Sequence, residues 1–230
     1  MQDFTLKAAP DVTVALRRSA RARRISLRVS SLDGRVTLTL PPGTPERVGR
    51  AFAEEKAKWL QQAVGKVATA VPVVVGSELP VAGQLCRVVP GQGRSAKLNG
   101  ADLVAPPGRE GPAIEALLKR VARDHLTLAV ARYSAALGKT YRRLTLRDPR
   151  SRWGSCSSEG NLMFSWRLIL APPDVLDYVA AHEVAHLVHM DHSPAFWSVV
   201  EALRPDNQAQ RRWLRQEGAA LHRYRFRSND

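Results

Sequence analysis

His182, Glu183 and His186 stand in the order HEVAH, two imidazoles four residues apart with a carboxylate beside the first. On an α-helix such a spacing separates the rings by about 40° around the axis and about 6 Å along it, so both can reach one small cation. Glu183, one position on, leans to the side of that face. There it can take a proton from a water activated by the cation without being a ligand itself. Zinc in a catalytic site takes three protein ligands and leaves one position for water.

The third donor must lie close by, and His189, Asp191 and His192 are the near candidates. If the helix simply continued, His189 would share the stripe of His182 but sit about 10 Å further along the axis, too far for a common ion. His192 follows His182 by the offset of the third histidine in the pattern H-E-x-x-H-x-x-G-x-x-H, and a fresh helix start, Ser193-Pro194, comes directly after it. A chain that leaves its helix near Met190 can fold the ring of His192 back. Four of the six histidines crowd into residues 182–192, which argues against an incidental grouping. Imidazole donors favour Zn2+. Asp177, Asp191 and Glu201 are the nearest carboxylates that could hold the free ring nitrogens, and Arg152 or His189 could supply a cation for an oxyanion.

The elements that must position these residues are readable in outline. ISLRVS and RVTLTL alternate around Asp33-Gly34, a hairpin signal. Thr44-Pro45 opens a helix expected over 45–65. Short apolar runs between Val71 and Ala105, broken by Gly, Pro and Asn99-Gly100, read as a small meander of strands. PPGREGP at 106–112 has the composition of a linker, and a long helix follows, closed by Gly138. YRRLTLRD reads as a strand, and RWGSCSSEGNLMFSW as two short strands around Ser157 to Gly160. Pro172, Pro173 and Asp174 open the helix that carries HEVAH, expected over 173–190. The expectation is an α+β fold: a β-rich region over 1–107 with one helix, then a catalytic region over 108–230 whose active-site helix lies beside a small sheet. Trp153, Phe164, Trp166, Phe196 and Trp197 are read mostly as core.

Lys and Arg number 35 against 21 Asp and Glu, a formal charge of +14. The excess clusters at 17–24, at 139–152 and at 211–227, which permits nucleic-acid or nucleotide contact through the arginines without defining a site. Cys86 and Cys156 are too few for a disulfide framework, so free thiols and a cytoplasmic setting are expected. The longest apolar run, at 67–76, is too short to span a bilayer. No P-loop supports a phosphate-binding site directly.

The segment RWGSCSSEGNLMFSWRLILAPPDVLDYVAAHEVAHLVHMDHSPAFW closely resembles the core of the YgjP-like metallopeptidases, relatives of the SprT-like and WLM zinc peptidases of the zincin type. RRISLRVSSLDGRVTLTLPPGT and AEEKAKWL are also similar to that family, so the resemblance covers nearly the whole chain. It implies a zincin-like core, a zinc ion on His182, His186 and His192, no metal role for position 189, and a peptide or protein substrate. It also implies an edge strand beside the metal helix, here the region of RWGSCSS, able to pair with an extended peptide. The mechanism expected is peptide hydrolysis by a zinc-activated water with Glu183 as general base. Two other readings stand beside it: hydrolysis of a phosphoanhydride such as a nucleoside triphosphate, and, because SprT-like relatives act on DNA-bound proteins, a DNA-associated protease using the basic surface.

Overall fold

The structure is a computed structural model that describes residues 2–30, 33–67 and 69–227. It divides into two units, Met1–Thr69 and Ala70–Asp230.

In the first unit β1 (Gln2–Thr5) pairs antiparallel with β2 (Thr13–Arg18), and β3 (Ser26–Val29) pairs antiparallel with β4 (Val36–Leu40). The two hairpins join through a parallel β2–β4 pair, giving the order β1-β2-β4-β3. Asp33-Gly34 lies in the second turn as the alternation requires, with Gly34 at φ +71°; Ser31 and Leu32, beside it, lie outside the described residues. The first hairpin is absent from the sequence reading, because its strands are short and their polar positions irregular. Val14, Leu16, Val36, Leu38 and Leu40 cover one sheet face and meet Ala53, Ala57 and Leu60. Those three belong to α1 (Glu46–Glu55) and α2 (Ala57–Gly65), where one helix over 45–65 was expected. The break is slight: the Lys56 N–H is shared between the carbonyls of Phe52 and Ala53, which overwinds a single turn.

The second unit begins with β5 (Val71–Pro72) and then repeats the same strand plan. β6 (Glu78–Val81) and β7 (Gln84–Pro90) form one hairpin, β8 (Lys97–Asn99) and β9 (Asp102–Ala105) another, and β7 runs parallel to β9, in the order β6-β7-β9-β8. The expected meander is therefore two hairpins laid side by side. Nothing in the residues announces the duplication, since topology is kept without sequence similarity. α3 (Glu110–Ala136) follows directly, and its first turn already contains Gly111 and Pro112 of the linker-like stretch. Proline is tolerated there because that N–H has no helical acceptor. Residues 70–107 thus share a unit and a core with α3, through Leu79, Val88, Leu103, Ile114 and Leu118. α3 closes as read at Gly138, φ +58°, with Gly138 N–H donating to Ala135 and Lys139 N–H to Ser134.

β10 (Arg143–Arg147), β11 (Gly154–Cys156) and β12 (Asn161–Ser165) make the small sheet, in the order β10-β12-β11. A fully buried 3-10 turn, Trp166–Leu170, leads to α4 (Pro173–Ala185), then α5 (Pro194–Leu203) and α6 (Gln208–Gln216). A second 3-10 turn, Gly218–Arg223, ends in β13 (Tyr224–Arg225), which pairs with β5. The fold is mixed α+β, with α4 beside a small sheet. Among the described residues no helix is long and apolar enough to cross a membrane.

Two ion networks fix this arrangement. Asp177 of α4 accepts from Arg132 and Tyr133 of α3 and from Arg204 after α5 at 2.9 Å, and Arg204 also meets Asp174 at 2.6 Å. Arg167, its side chain only 6% exposed, forks onto Asp148 at 2.8 and 3.0 Å and donates to the carbonyls of Leu221 and Tyr224. Trp153 then stacks on His222 at 5.4 Å and covers Gly218. The segment from 218 to 226 in this way braces the loop that leads into β11.

Burial, reinforced by Arg167, pushes the His222 imidazole down to about 4. The unfolded ring takes a proton near pH 6.5 and the native ring resists it, so this stability is complete above that pH and lost as pH falls toward 4. His222→Phe keeps a ring on Trp153 and removes the titration. Between pH 7 and pH 5 the wild type is expected to lose roughly 1–2 kcal/mol more than the variant in urea unfolding; parallel pH slopes would show that His222 does not titrate this way.

Candidate metal centre

α4 is apolar almost all round, with Val175, Leu176, Val179, Ala180, Ala181 and Val184 buried, so it passes through the core and opens His182 and His186 to one cleft. The helix ends at Ala185, a turn earlier than the expected 190. Beyond it the chain tightens into i→i+3 bonds, Leu187 N–H to Val184 and Val188 N–H to Ala185. The competing partner is His186, whose Nδ1–H donates to the carbonyl of His189 at 2.9 Å and so turns that segment back. Asp191 accepts from Ser193 N–H at 3.2 Å, the Ser193 hydroxyl caps Phe196 N–H at 3.4 Å, and α5 starts at Pro194 as the Ser-Pro pair foretells.

The turn delivers His192 to the other two. His192 Nε2 lies 3.1 Å from His182 Nε2, and ligand nitrogens of His182, His186 and His192 all fall within 4.8 Å of one another. Nitrogens bound tetrahedrally to zinc at about 2.05 Å would stand about 3.3 Å apart, so the set fits a single ion with small adjustment. The tautomers agree: a carbonyl can only accept, so His186 carries its proton on Nδ1 and presents the Nε2 lone pair. Tyr178 Oη, 3.5 Å from His182 Nδ1, stands where it can accept the corresponding proton. Beneath the rings lies Phe196, fully buried, at 4.4 Å from His186, 4.8 Å from His192 and 5.0 Å from His182. Burial holds His182 down at about 3, helped by the neighbouring imidazoles and Arg211, and lowers His186 as well; neutral imidazole is the ligating form.

Glu183 shares the cleft, a space of about 430 Å³ lined also by Arg152, Gly154, Cys156 and Met190. The residue is 6% exposed, and among the described residues no hydrogen bond holds its carboxyl. Burial pushes it up to about 8 against the opposing pull of Arg152. What places it is shape. A Cβ on Gly154 would come within 2.5 Å of Glu183 Oε1, so only glycine lets the edge strand and the carboxyl approach this closely.

Other expectations fall differently. Asp177, Asp191 and Glu201 do not orient the imidazoles: Asp177 binds the arginines above, Asp191 caps Ser193, and Glu201 accepts from Asn207. Their place is taken by Tyr178, which stands one helical turn before His182 at the i,i+4 spacing, and by the His189 carbonyl, which no side-chain pattern announces. Arg152 lines the cleft and His189 does not. Cys156 faces the cleft as a thiol that burial, with the charge of Glu183, pushes up to about 11, so it stays protonated near neutral pH. Cys86 is buried and both cysteines are free. Phe164, Trp166 and Phe196 are core, while Trp153 and Trp197 pack against it half-buried.

A family model for the YgjP-like metallopeptidase domain matches residues 23–217. No curated protein matches the chain. A solved structure with partial likeness is that of the metallopeptidase zymogen abylysin from Pyrococcus abyssi, 21% identical, covering 40% of this chain and 92% of that one, with a TM-score of 0.36.

Zinc at a hundredfold its dissociation constant should stabilise the protein by about 2.7 kcal/mol, roughly 5–10 °C in Tm for a chain of this size. His192→Ala should lose that shift and the bound metal together. An equal zinc-induced rise in both proteins would exclude His192 as a ligand.

Proposed function

Since the chain belongs to the YgjP-like metallopeptidase family, we propose that it hydrolyses peptide bonds with a zinc ion on His182, His186 and His192 and with Glu183 as the general base. The observation that carries this reading is the meeting of three imidazole nitrogens and one unbonded, shape-held carboxyl in a single cleft. A divalent ion held there would supply a Lewis acid, a water of lowered pKa, and a positive charge that favours the ionised form of Glu183.

The chain's own residues then divide the work. His182, His186 and His192 offer nitrogen donors, with His182 and His186 oriented by Tyr178, the His189 carbonyl and the ring of Phe196. Glu183, with no hydrogen bond to break, takes a proton from the attacking water and returns it to the leaving amine. Its burial keeps that proton from bulk solvent. β11 is the edge of its sheet, and Gly154, Ser155 and Cys156 line the cleft, so an extended substrate can add to that edge through backbone hydrogen bonds.

Glu183→Gln should abolish peptide turnover while leaving zinc content unchanged; full activity in that variant would end the assignment. Gly154→Ala tests the shape argument. The clash falls on the Cγ as well as the carboxyl of a buried side chain, so the variant should lose stability by about 1–3 kcal/mol, and kcat should fall at least about tenfold with zinc retained. An unaltered kcat would show that Glu183 does not depend on the missing Cβ.

A further inference from the structure

The surroundings of the imidazoles are cationic in a particular way. Arg152 is exposed on the cleft wall beside Glu183, and Arg211 of α6 lies flat on Trp197, its guanidinium carbon 3.9 Å from the ring centroid. Trp197 in turn stands 5.7 Å from the His182 ring and 5.8 Å from that of His192. Among the described residues neither arginine has an ion-pair partner, whereas Arg132, Arg142, Arg167 and Arg204 all do. Of the neighbouring acids, Asp191 caps Ser193 and Glu201 holds Asn207, while Glu183 feels Arg152 across the cleft without forming an ion pair with it. An unpaired guanidinium stacked on an aromatic ring is held in place while its fork of N–H donors stays free for a planar anion.

We propose that Arg152 and Arg211 are specificity-determining residues that make the site select acidic peptides, with Asp or Glu side chains of the substrate lying close to the scissile bond. The inference rests on the peptidase reading and deepens it. Arg152 meets a carboxylate near Glu183, and Arg211 meets one that approaches across Trp197. A peptide is favoured over a nucleic acid because the free edge of β11 in the same cleft offers backbone pairing, which a phosphodiester chain cannot use.

The test uses the zinc-loaded full chain and three fluorogenic peptides that differ only in carrying Glu, Gln or Lys on both sides of the scissile bond. At low salt kcat/KM should fall in the order Glu, Gln, Lys, with a Glu to Gln ratio of about five or more, collapsing toward one as salt rises to about 0.5 M. Arg152→Gln and Arg211→Gln should each lower that ratio about threefold, and the lysine variants at both positions should keep most of it. The ratio cancels any change common to both substrates. Binding is read separately by fluorescence anisotropy with zinc-loaded Glu183→Gln, which should hold the Glu peptide more tightly than the Gln peptide. If no peptide is cleaved but that order of binding survives, the peptidase reading fails and the acidic preference stands. A ratio near one in both assays overturns the proposal. A DNA duplex that displaces the Glu peptide at equal charge concentration overturns the choice of a peptide.

Discussion

Three imidazoles can share one ion only if the backbone reverses immediately after the second. A straight continuation of α4 would carry the next ring along the axis, and burial of the helix gives no reason to stop. The reversal is built from one hydrogen bond, His186 to the His189 carbonyl, and from one packing residue, Phe196, which stacks on His186 and meets His182 and His192 edge-wise. The first orients a donor while it ends the helix. The second seats α5 against the same rings that its preceding turn positions.

Everything further out serves to keep that reversal and the edge strand in register. Asp177 gathers α3, α4 and the end of α5 through three donors, so the helix with two imidazoles and the helix after the third are tied at one carboxylate. Arg167 does the corresponding work on the strand side, joining the end of β10 to the carbonyls of Leu221 and Tyr224. Removing Asp177 would leave Arg204 with only Asp174, and removing Asp148 would leave the buried Arg167 without the carboxylate that answers its charge. The constraint is geometric as much as energetic: the space between Gly154 and Glu183 does not admit a Cβ.

Much of the site was legible because ligand chemistry leaves local marks. HEVAH, the offset to His192 and the Ser193-Pro194 restart are all short-range signals, and the geometric case against His189 as a ligand holds in that its ring lies outside the cleft. The role that His189 does have belongs to its carbonyl, which any residue could supply, so no side chain betrays it. Gly154 is a similar case. Its importance lies in a missing atom, and its contact is with a residue 29 positions away. Carboxylates were expected behind the imidazoles because side-chain chemistry is what a sequence displays; Asp177 and Glu201 turned out to be claimed by partners no spacing rule connects. The secondary elements followed periodicity well where they were long, as in α3, and poorly in the N-terminal hairpin, where a four-residue strand pairs with one whose positions do not alternate.

The duplicated strand plan has a consequence for how the chain acquires its shape. In both four-stranded sheets every antiparallel pair joins neighbours in sequence, and the parallel seam closes over only one intervening hairpin strand, so each sheet can assemble from nearby segments at small loop-closure cost. The β5–β13 pair is the opposite, since it joins the two extremes of the second unit. Its closure is the step with the greatest entropic penalty, and the segment it brings home is the one that braces the loop before β11. The edge beside the metal cleft is thereby braced through the pairing of greatest sequence separation in the unit, so its geometry depends on residues that lie far from it along the chain.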